Sequence, residues 1–314
     1  MNKILIYHKI DKLHQDYLAN KFEDCSFLMC TTKEEMEKHI KDADVLITFK
    51  FDKEMLEKGN NLKWIQALSA GVENYPLEKI KDSGIVLTNG RGIHKVHMAE
   101  YAICIMIMLS RNMHIMFKNK YEGIWDRKIE QDEINGATVG ILGLGSIGIE
   151  IAKKAHFMGM NVIGVKGSPS EIKYVDKLYS PEEISQVFKN SDYVINLFPS
   201  VDKTYKIIDK KYFDMMKEDA CFINMGRGST VNEEDMIQAL RNGKMKAMAS
   251  DVFFMEPLPE DSPLWKLENV IITPHICGES KKYFEKALPI IENNIKAFKG
   301  KGNFINLVNF EKGY

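Results

Sequence analysis

Neither sign of charge is in surplus: 43 Lys and Arg stand against 44 Asp and Glu, a formal net charge of −1. The lysines are also spread out rather than blocked, so the electrostatic footprint of a nucleic-acid binder or of a protein held to an anionic membrane is excluded. Cysteine is scarce. Cys25, Cys30, Cys104, Cys221 and Cys277 are odd in number and scattered, and no C-x-x-C pair occurs. That argues against a disulfide framework and for reduced thiols in a cytoplasmic protein. Cys277 follows His275 by two residues, but no further ligand cluster accompanies them, and no metal site is expected. Long apolar runs are missing too. The most apolar segment, Tyr101 to Leu109 (YAICIMIML), is soon followed by Arg111 and His114. It is too short to span a bilayer and reads as a buried helix. The N-terminal MNKILIYHKI lacks a signal peptide's long apolar region and small-residue cleavage site, and reads as a first strand. There is no internal repeat and no low-complexity segment.

What is present is a globular composition, 45% hydrophobic and 28% charged, in 314 residues, a length that suits two domains. Short β-rich runs alternate with helical patterns. Strands are predicted at Lys3–Tyr7, Val45–Thr48, Trp64–Ala67, Ile85–Thr88, Thr138–Leu142, Asn161–Val165, Tyr193–Leu197, Cys221–Met225, Ala247–Ser250 and Val270–Thr273. Helical patterns include Glu34–Lys41, Ile147–Met158, Pro181–Lys189 and Glu233–Asn242. The last opens on three acidic residues and closes at Arg241-Asn242-Gly243, start and stop signals of a helix. The alternation predicts an α/β fold with parallel sheets covered on both faces. One domain is expected over residues 1–98, completed by 286–314, and a second over 99–285. One long apolar helix, Ala99 to about Phe117, lies between them, and a last helix begins at about Lys281.

In TVGILGLGSIGIEIAKKA, Thr138 to Ala155, a strand leads into Gly143-x-Gly145-x-x-Gly148 and then a helix, and a second strand, NVIGV, follows. The first glycine permits the tight turn, the second lets a pyrophosphate approach the backbone, and the third lets helix and strand pack closely. The helix N-terminus offers unpaired N–H groups to the anion, here around Ser146 and Ile147. In this context the pattern predicts a dinucleotide site. An acidic residue commonly receives the adenosine ribose at the end of the second strand. Here the end reads GVKGS, with Lys166, Gly167 and Ser168. A lysine cannot accept from a 2′-hydroxyl, but it pairs with a 2′-phosphate. NADP is therefore somewhat favoured, and NAD is the alternative.

Three polar residues stand at strand ends or in the loops after them: Arg227 in NMGRGS, Glu256 in MEPLP and His275 in TPHICG. In an open parallel sheet ligands bind outside the carboxyl ends of the strands, so the three can converge on one cofactor. Taken singly, each has a plainer reading as a salt-bridged Arg, a solvated Glu or a core His. Together they suit reduction of a 2-oxo acid. A histidine is the natural proton donor at neutral pH, a nearby carboxylate orients its ring, and an arginine holds the substrate carboxylate through paired N–H···O bonds. Gly226 and Gly228 are expected to let the arginine's backbone lie close to cofactor and substrate.

GILGLGSIGIEIAKKA, INMGRGSTVNEEDMIQAL, SDVFFMEPLPEDSPLWKLENVIITPHICG and the tail NLVNFEKGY together resemble the D-isomer-specific 2-hydroxyacid dehydrogenase family, especially its glyoxylate/hydroxypyruvate reductase and phosphoglycerate dehydrogenase-like branches. The resemblance covers nearly the whole chain. It implies two Rossmann-like or flavodoxin-like domains with the active site in the cleft between them, a substrate domain built from the N-terminal part plus the C-terminal tail, and a homodimer. It makes Arg227 the carboxylate binder, Glu256 the partner of the histidine, and His275 the acid/base. It places the backbone of Ala70, Gly71 and Val72, in ALSAGVEN, near the substrate carboxylate and facing Arg227. It assigns cofactor contacts to Phe198 and Pro199 with Thr204, to Met225 and Gly226, to Asp251 beside the nicotinamide, and to His275 and Gly278. Phe49-Lys50-Phe51 is a candidate wall of the substrate site. His94 and His97 form an H-x-x-H without a carboxylate spaced to complete a metal site, so a hinge or cleft-lining place is expected. Lys166 departs from the family's usual acid. Two other functions on this scaffold share these features: a cofactor-sensing corepressor, and a formate- or phosphite-type dehydrogenase.

Overall fold

The computed structural model describes residues 1–167 and 171–311 and divides the chain into two compact units, Met1–Ile93 with Ser280–Tyr314, and His94–Glu279. The sequence-predicted borders lay five or six residues later. They move because the whole of the helix beginning at Lys95 packs within the second unit, and because Tyr283 already belongs to the first, where its hydroxyl donates to Leu68 O at 2.7 Å.

The first unit runs β1 (Asn2–Tyr7), α1 (Lys12–Lys21), β2 (Cys25–Cys30), α2 (Lys33–Ile40), β3 (Val45–Thr48), α3 (Lys53–Lys58), β4 (Trp64–Ala67), α4 (Leu77–Ser83) and β5 (Val86–Thr88). Its strands pair in parallel in the order β2-β1-β3-β4-β5. The central strands VLIT and WIQA are buried along their whole length, as a sheet covered on both faces requires. A buried polar network fastens the residues after 280 to this sheet. Trp64 Nε1 donates to Thr88 Oγ1 (2.8 Å), and both Thr88 Oγ1 (2.9 Å) and Asn294 Nδ2 (2.8 Å) donate to Gln66 Oε1. Asn294 Oδ1 accepts from Ile305 N at 2.8 Å, and Leu307 makes an antiparallel bridge to Thr88.

The second unit begins with α5 (Lys95–Ser110) and α6 (Met113–Glu122). The single long helix expected from Ala99 to about Phe117 is in fact broken. Asn112 takes a left-handed conformation (φ 47°), a conformation asparagine tolerates better than most residues, and its Nδ2 donates to Glu130 O. Then follow β6 (Thr138–Leu142), α7 (Ser146–Phe157), β7 (Asn161–Val165), β8 (Lys177–Tyr179), α8 (Ile184–Asn190), β9 (Tyr193–Asn196), α9 (Lys210–Phe213), β10 (Cys221–Asn224), α10 (Glu233–Arg241), β11 (Ala247–Ser250) and β12 (Val270–Ile272). The last helix of the chain, α11 (Tyr283–Phe298), lies in the first unit. The parallel sheet has the order β12-β11-β10-β9-β6-β7-β8. The order reverses between β6 and β9, and such a switch point opens a crevice at the carboxyl ends of the strands. Apolar clusters cover both faces, one built on α5 and α7, the other on α8 and α10. Among the described residues no helix is long and apolar enough to cross a membrane. The five cysteines are free.

Candidate active site

The glycine loop follows β6, on one side of the switch point. Gly143 has φ +110°, a conformation that L side chains rarely adopt. Gly148 packs so tightly that an added Cβ would stand 2.3 Å from Gly143 O, whereas nothing lies within 4 Å of a Cβ at Gly145. One glycine thus turns the chain, one closes helix onto strand, and the middle one leaves open space. No side chain caps α7, so the N–H groups of its first turn, Ser146 and Ile147 included, face outward from a twelve-residue helix. That cradle fits a pyrophosphate. Across the switch point, Thr204 Oγ1 accepts from Val201 N at 3.1 Å and donates to Pro199 O at 2.5 Å, fixing the turn that carries Phe198 and Pro199. Lys166 follows β7 directly, half-exposed, with its N–H on Tyr179 O. Gly167 is exposed, and Ser168 lies outside the described residues.

Arg227, Glu256 and His275 follow the neighbouring strands β10, β11 and β12. Asn224 is in register with Ser250, and Ser250 with Ile272, so the three loops start side by side, each about 4.8 Å from the next. Glu256 Oε2 and His275 Nδ1 are 2.6 Å apart. A carboxylate only accepts, so Nδ1 carries the hydrogen and Nε2 is left for chemistry. The other carboxylate oxygen accepts from Phe253 N at 2.9 Å, which locks the glutamate to its own loop. His275 stands at φ +53°, a left-handed conformation in which a bulky side chain is strained, and such strain gathers at functional sites.

The glycines beside Arg227 have a different reason from the expected one. A Cβ on Gly226 would lie 2.7 Å from Phe198 O, and one on Gly228 would lie 1.9 Å from Phe253 O. They let the arginine loop wedge its backbone between the loops of β9 and β11. The close approach is backbone to backbone, with no cofactor or substrate needed to explain it. Beneath the loop a buried network fixes its entry and exit. Asn196 Nδ2 donates to Asn224 Oδ1 (2.9 Å) and to Thr230 Oγ1 (2.8 Å), and Thr230 Oγ1 donates to Arg227 O (2.7 Å). Arg227 itself is half-buried, with its guanidinium donating to Gly226 O.

Asp251 is fully buried. Its carboxylate accepts from Thr273 Oγ1 (2.6 Å), Ile276 N (3.0 Å) and Cys277 N (3.0 Å), so its observed partners belong to the histidine loop. Burial, and then the Asp251 charge, push the Cys277 thiol far above its ordinary range, which makes it inert. Met225 is buried in the core on the α5–α7 face. His97 Nε2 donates to Gly278 O at 2.8 Å and lies beside His94, with ring centroids 5.7 Å apart. Among the described residues no group of three or more His, Cys, Asp or Glu could hold a metal ion.

In the first unit, Ala70 and Gly71 follow β4 and are half-exposed, while Val72 is buried. Ser69 Oγ donates to Gly71 O at 2.7 Å and shapes the turn. Of the proposed wall, Phe51 points into the core. Phe49 stacks edge-on against His8 (4.8 Å) and lies 5.2 Å from Tyr283. Since β1 and β3 flank this sheet's own switch point, His8 and Phe49 mark its crevice. Reading the sequence missed Asn196, Asn224, Thr230, Thr273, Tyr101 and His8. The only signal for the two asparagines was a polar residue closing an apolar strand.

The sequence profile of the D-isomer specific 2-hydroxyacid dehydrogenase NAD binding domain matches residues 103–277. D-3-phosphoglycerate dehydrogenase of Methanocaldococcus jannaschii is 34% identical over 94% of this chain, and hydroxypyruvate reductase of Thermotoga maritima is 32% identical over 87% of it and 90% of its own length. The chain spans only 57% and 60% of the two phosphoglycerate dehydrogenases it matches, from M. jannaschii and Archaeoglobus fulgidus. A D-isomer specific 2-hydroxyacid dehydrogenase family protein of Aeromonas salmonicida superposes with a TM-score of 0.85 at 30% identity, covering 98% of this chain and 99% of its own.

Proposed function

The chain belongs to the D-isomer-specific 2-hydroxyacid dehydrogenase family, and from that premise we propose that it interconverts a small 2-oxo acid, of glyoxylate or hydroxypyruvate type, with the D-2-hydroxy acid, using NAD(P). The observation that carries the reading is the 2.6 Å contact of His275 with Glu256, in loops that start beside the Arg227 loop on a sheet bearing an open glycine cradle. Bound in that cradle, a reduced nicotinamide cofactor supplies the hydride. Arg227 pairs with the substrate carboxylate and fixes the ketone. As the ketone becomes an alkoxide, His275 Nε2 delivers the proton, while Glu256 on Nδ1 holds the ring's tautomer and direction. In the reverse direction the same nitrogen takes the proton back.

The test is a matrix of 2-oxo acids against NADH and NADPH, followed by absorbance at the reduced nicotinamide band. Turnover with glyoxylate or hydroxypyruvate is expected. Cofactor binding without turnover of any 2-oxo acid would overturn the reading in favour of a sensing protein, and oxidation of formate or phosphite would point to the third function. Arg227→Ala is expected to lower kcat/KM for the oxo acid by about 10²-fold, the scale of a lost charge-assisted pair. An unchanged value removes the carboxylate clamp. Lys166 favours NADPH somewhat over NADH, so Lys166→Asp is expected to shift the kcat/KM ratio toward NADH by about tenfold or more, since a carboxylate repels the 2′-phosphate and accepts from the ribose. A wild type that already favours NADH strongly would refute the cofactor preference.

The assembly in this reading is a homodimer in the cytoplasm. Its support is a run of exposed apolar side chains on and after α6, with Tyr121 86% and Trp125 90% exposed, together with five free cysteines suited to a reducing compartment. Sedimentation measures the first of these.

A further inference from the structure

Helix α5 reaches the histidine loop with two side chains one turn apart. His97 donates to Gly278 O at 2.8 Å, and the Tyr101 hydroxyl lies 2.6 Å from Thr273 Oγ1. Residues four apart share a helix face, so both grip one end of the loop each. The direction of the second contact follows from the hydrogens available. The single hydroxyl hydrogen of Thr273 goes to Asp251 Oδ1 at 2.6 Å, where the acceptor is a carboxylate. Tyr101 must therefore donate to Thr273. Burial keeps the phenol above its ordinary range, so it holds that proton at working pH. The hydrogen bonds thus run from Tyr101 through Thr273 to the accepting carboxylate of Asp251.

Asp251 grips His275 from both sides. Its main-chain oxygen accepts from His275 N at 2.8 Å, and its carboxylate accepts from the N–H groups of Ile276 and Cys277. A strained left-handed residue stays in place only where its neighbours over-determine it. These bonds do so at His275, and Asp251 is buried, so the orientation of its carboxylate depends on the donors around it. We propose that Tyr101 is a positioning residue for His275, acting through Thr273 and Asp251. It touches no reacting atom. It sets the direction of the Asp251 carboxylate, which sets the loop, which aims the imidazole that Glu256 then clasps. The proposal rests on the reading of His275 as the acid/base of 2-oxo acid reduction.

Tyr101→Phe removes one oxygen and keeps the ring's packing. It is expected to lower kcat about tenfold, as a small misplacement of a reacting group does, with KM for the oxo acid within about twofold. Thr273→Val is expected to do the same, while Thr273→Ser, which keeps the hydroxyl, restores kcat to within about threefold of wild type. The double variant Tyr101→Phe/Thr273→Val is expected to fall no more than about twofold below Thr273→Val, because both act through one route. A second readout needs no turnover: the downfield proton resonance of His275 Nδ1–H against Glu256, assigned by its loss in His275→Asn, is expected to move upfield in Tyr101→Phe. If that resonance moves while wild type reduces no 2-oxo acid, the positioning stands and the proposed reaction falls. If the enzyme turns over but kcat and the resonance are unchanged in Tyr101→Phe, with only the melting temperature lowered, the hydroxyl is a packing feature and the proposal is overturned.

Discussion

His275→Asn is expected to lower kcat by about 10³-fold, within the range that loss of a positioned acid/base costs. Asparagine is the informative replacement because of the backbone. His275 occupies the left-handed region at φ +53°, where asparagine is among the few side chains tolerated. Alanine would add strain of about 1 kcal/mol or more to the chemical loss. The N–H bonds from residues 275, 276 and 277 to Asp251 use main-chain atoms and survive the change. Cofactor affinity, measured by fluorescence titration, is expected to stay within about twofold, since the glycine cradle is untouched. A kcat within tenfold of wild type would remove His275 from proton transfer.

The largest structural effect is expected from Gly228→Ala. The added methyl would stand 1.9 Å from Phe253 O, 2.0 Å from its carbonyl carbon and 2.6 Å from Phe254 N. All three are backbone atoms, so no rotamer change relieves the clash. Either the arginine loop or the loop after β11 must shift, at a cost of about 4 kcal/mol or more. The melting temperature should fall by roughly 10 °C in a chain of this size. The same shift reaches the chemistry, because Phe253 N is the donor that holds Glu256, and Phe254 N is held by Glu233 at 3.1 Å. Gly145→Ala is the contrast. Nothing stands near its Cβ, so the fold is expected to keep its stability while cofactor affinity falls. A Gly228→Ala protein as stable as wild type would mean that the two loops are not wedged together.

Ten strands were legible from the sequence. The other two among the described residues, β2 and β8, are both at sheet edges. β2 (CSFLMC) is apolar but holds no β-branched residue and leaves Leu28 41% exposed, and β8 is only three residues long. The break at Asn112 was hidden because the residues on either side continue the helical pattern, and the left-handed turn is fixed by the distant Glu130. Arg227, Glu256 and His275 stand out in the sequence as polar residues in the loops after three apolar strands, and the structure pairs two of them, Glu256 with His275. Their supports were not. Tyr101 lies in an apolar helix, and Asn196, Asn224 and Thr230 end or follow buried strands. Each gains its meaning from a partner far along the chain. The packing reason for the glycines around Arg227 is not legible, because closeness to another loop's backbone leaves no mark in the residues themselves.

The first unit is assembled from both ends of the chain, whereas His94–Glu279 is one unbroken stretch. On the ribosome this sets an order of events. At 5–20 residues per second, the five N-terminal strands wait on the order of ten to forty seconds for Asn294 and Leu307 to be made. Through that interval Gln66 has only Thr88 of its two buried donors and β5 keeps an open flank. The nascent half-sheet is then exposed to pairing with other chains while the second unit, complete only at Glu279, is still being made. The demand for chaperone protection therefore falls on the N-terminal third, and it ends only when α11 and then Leu307 arrive.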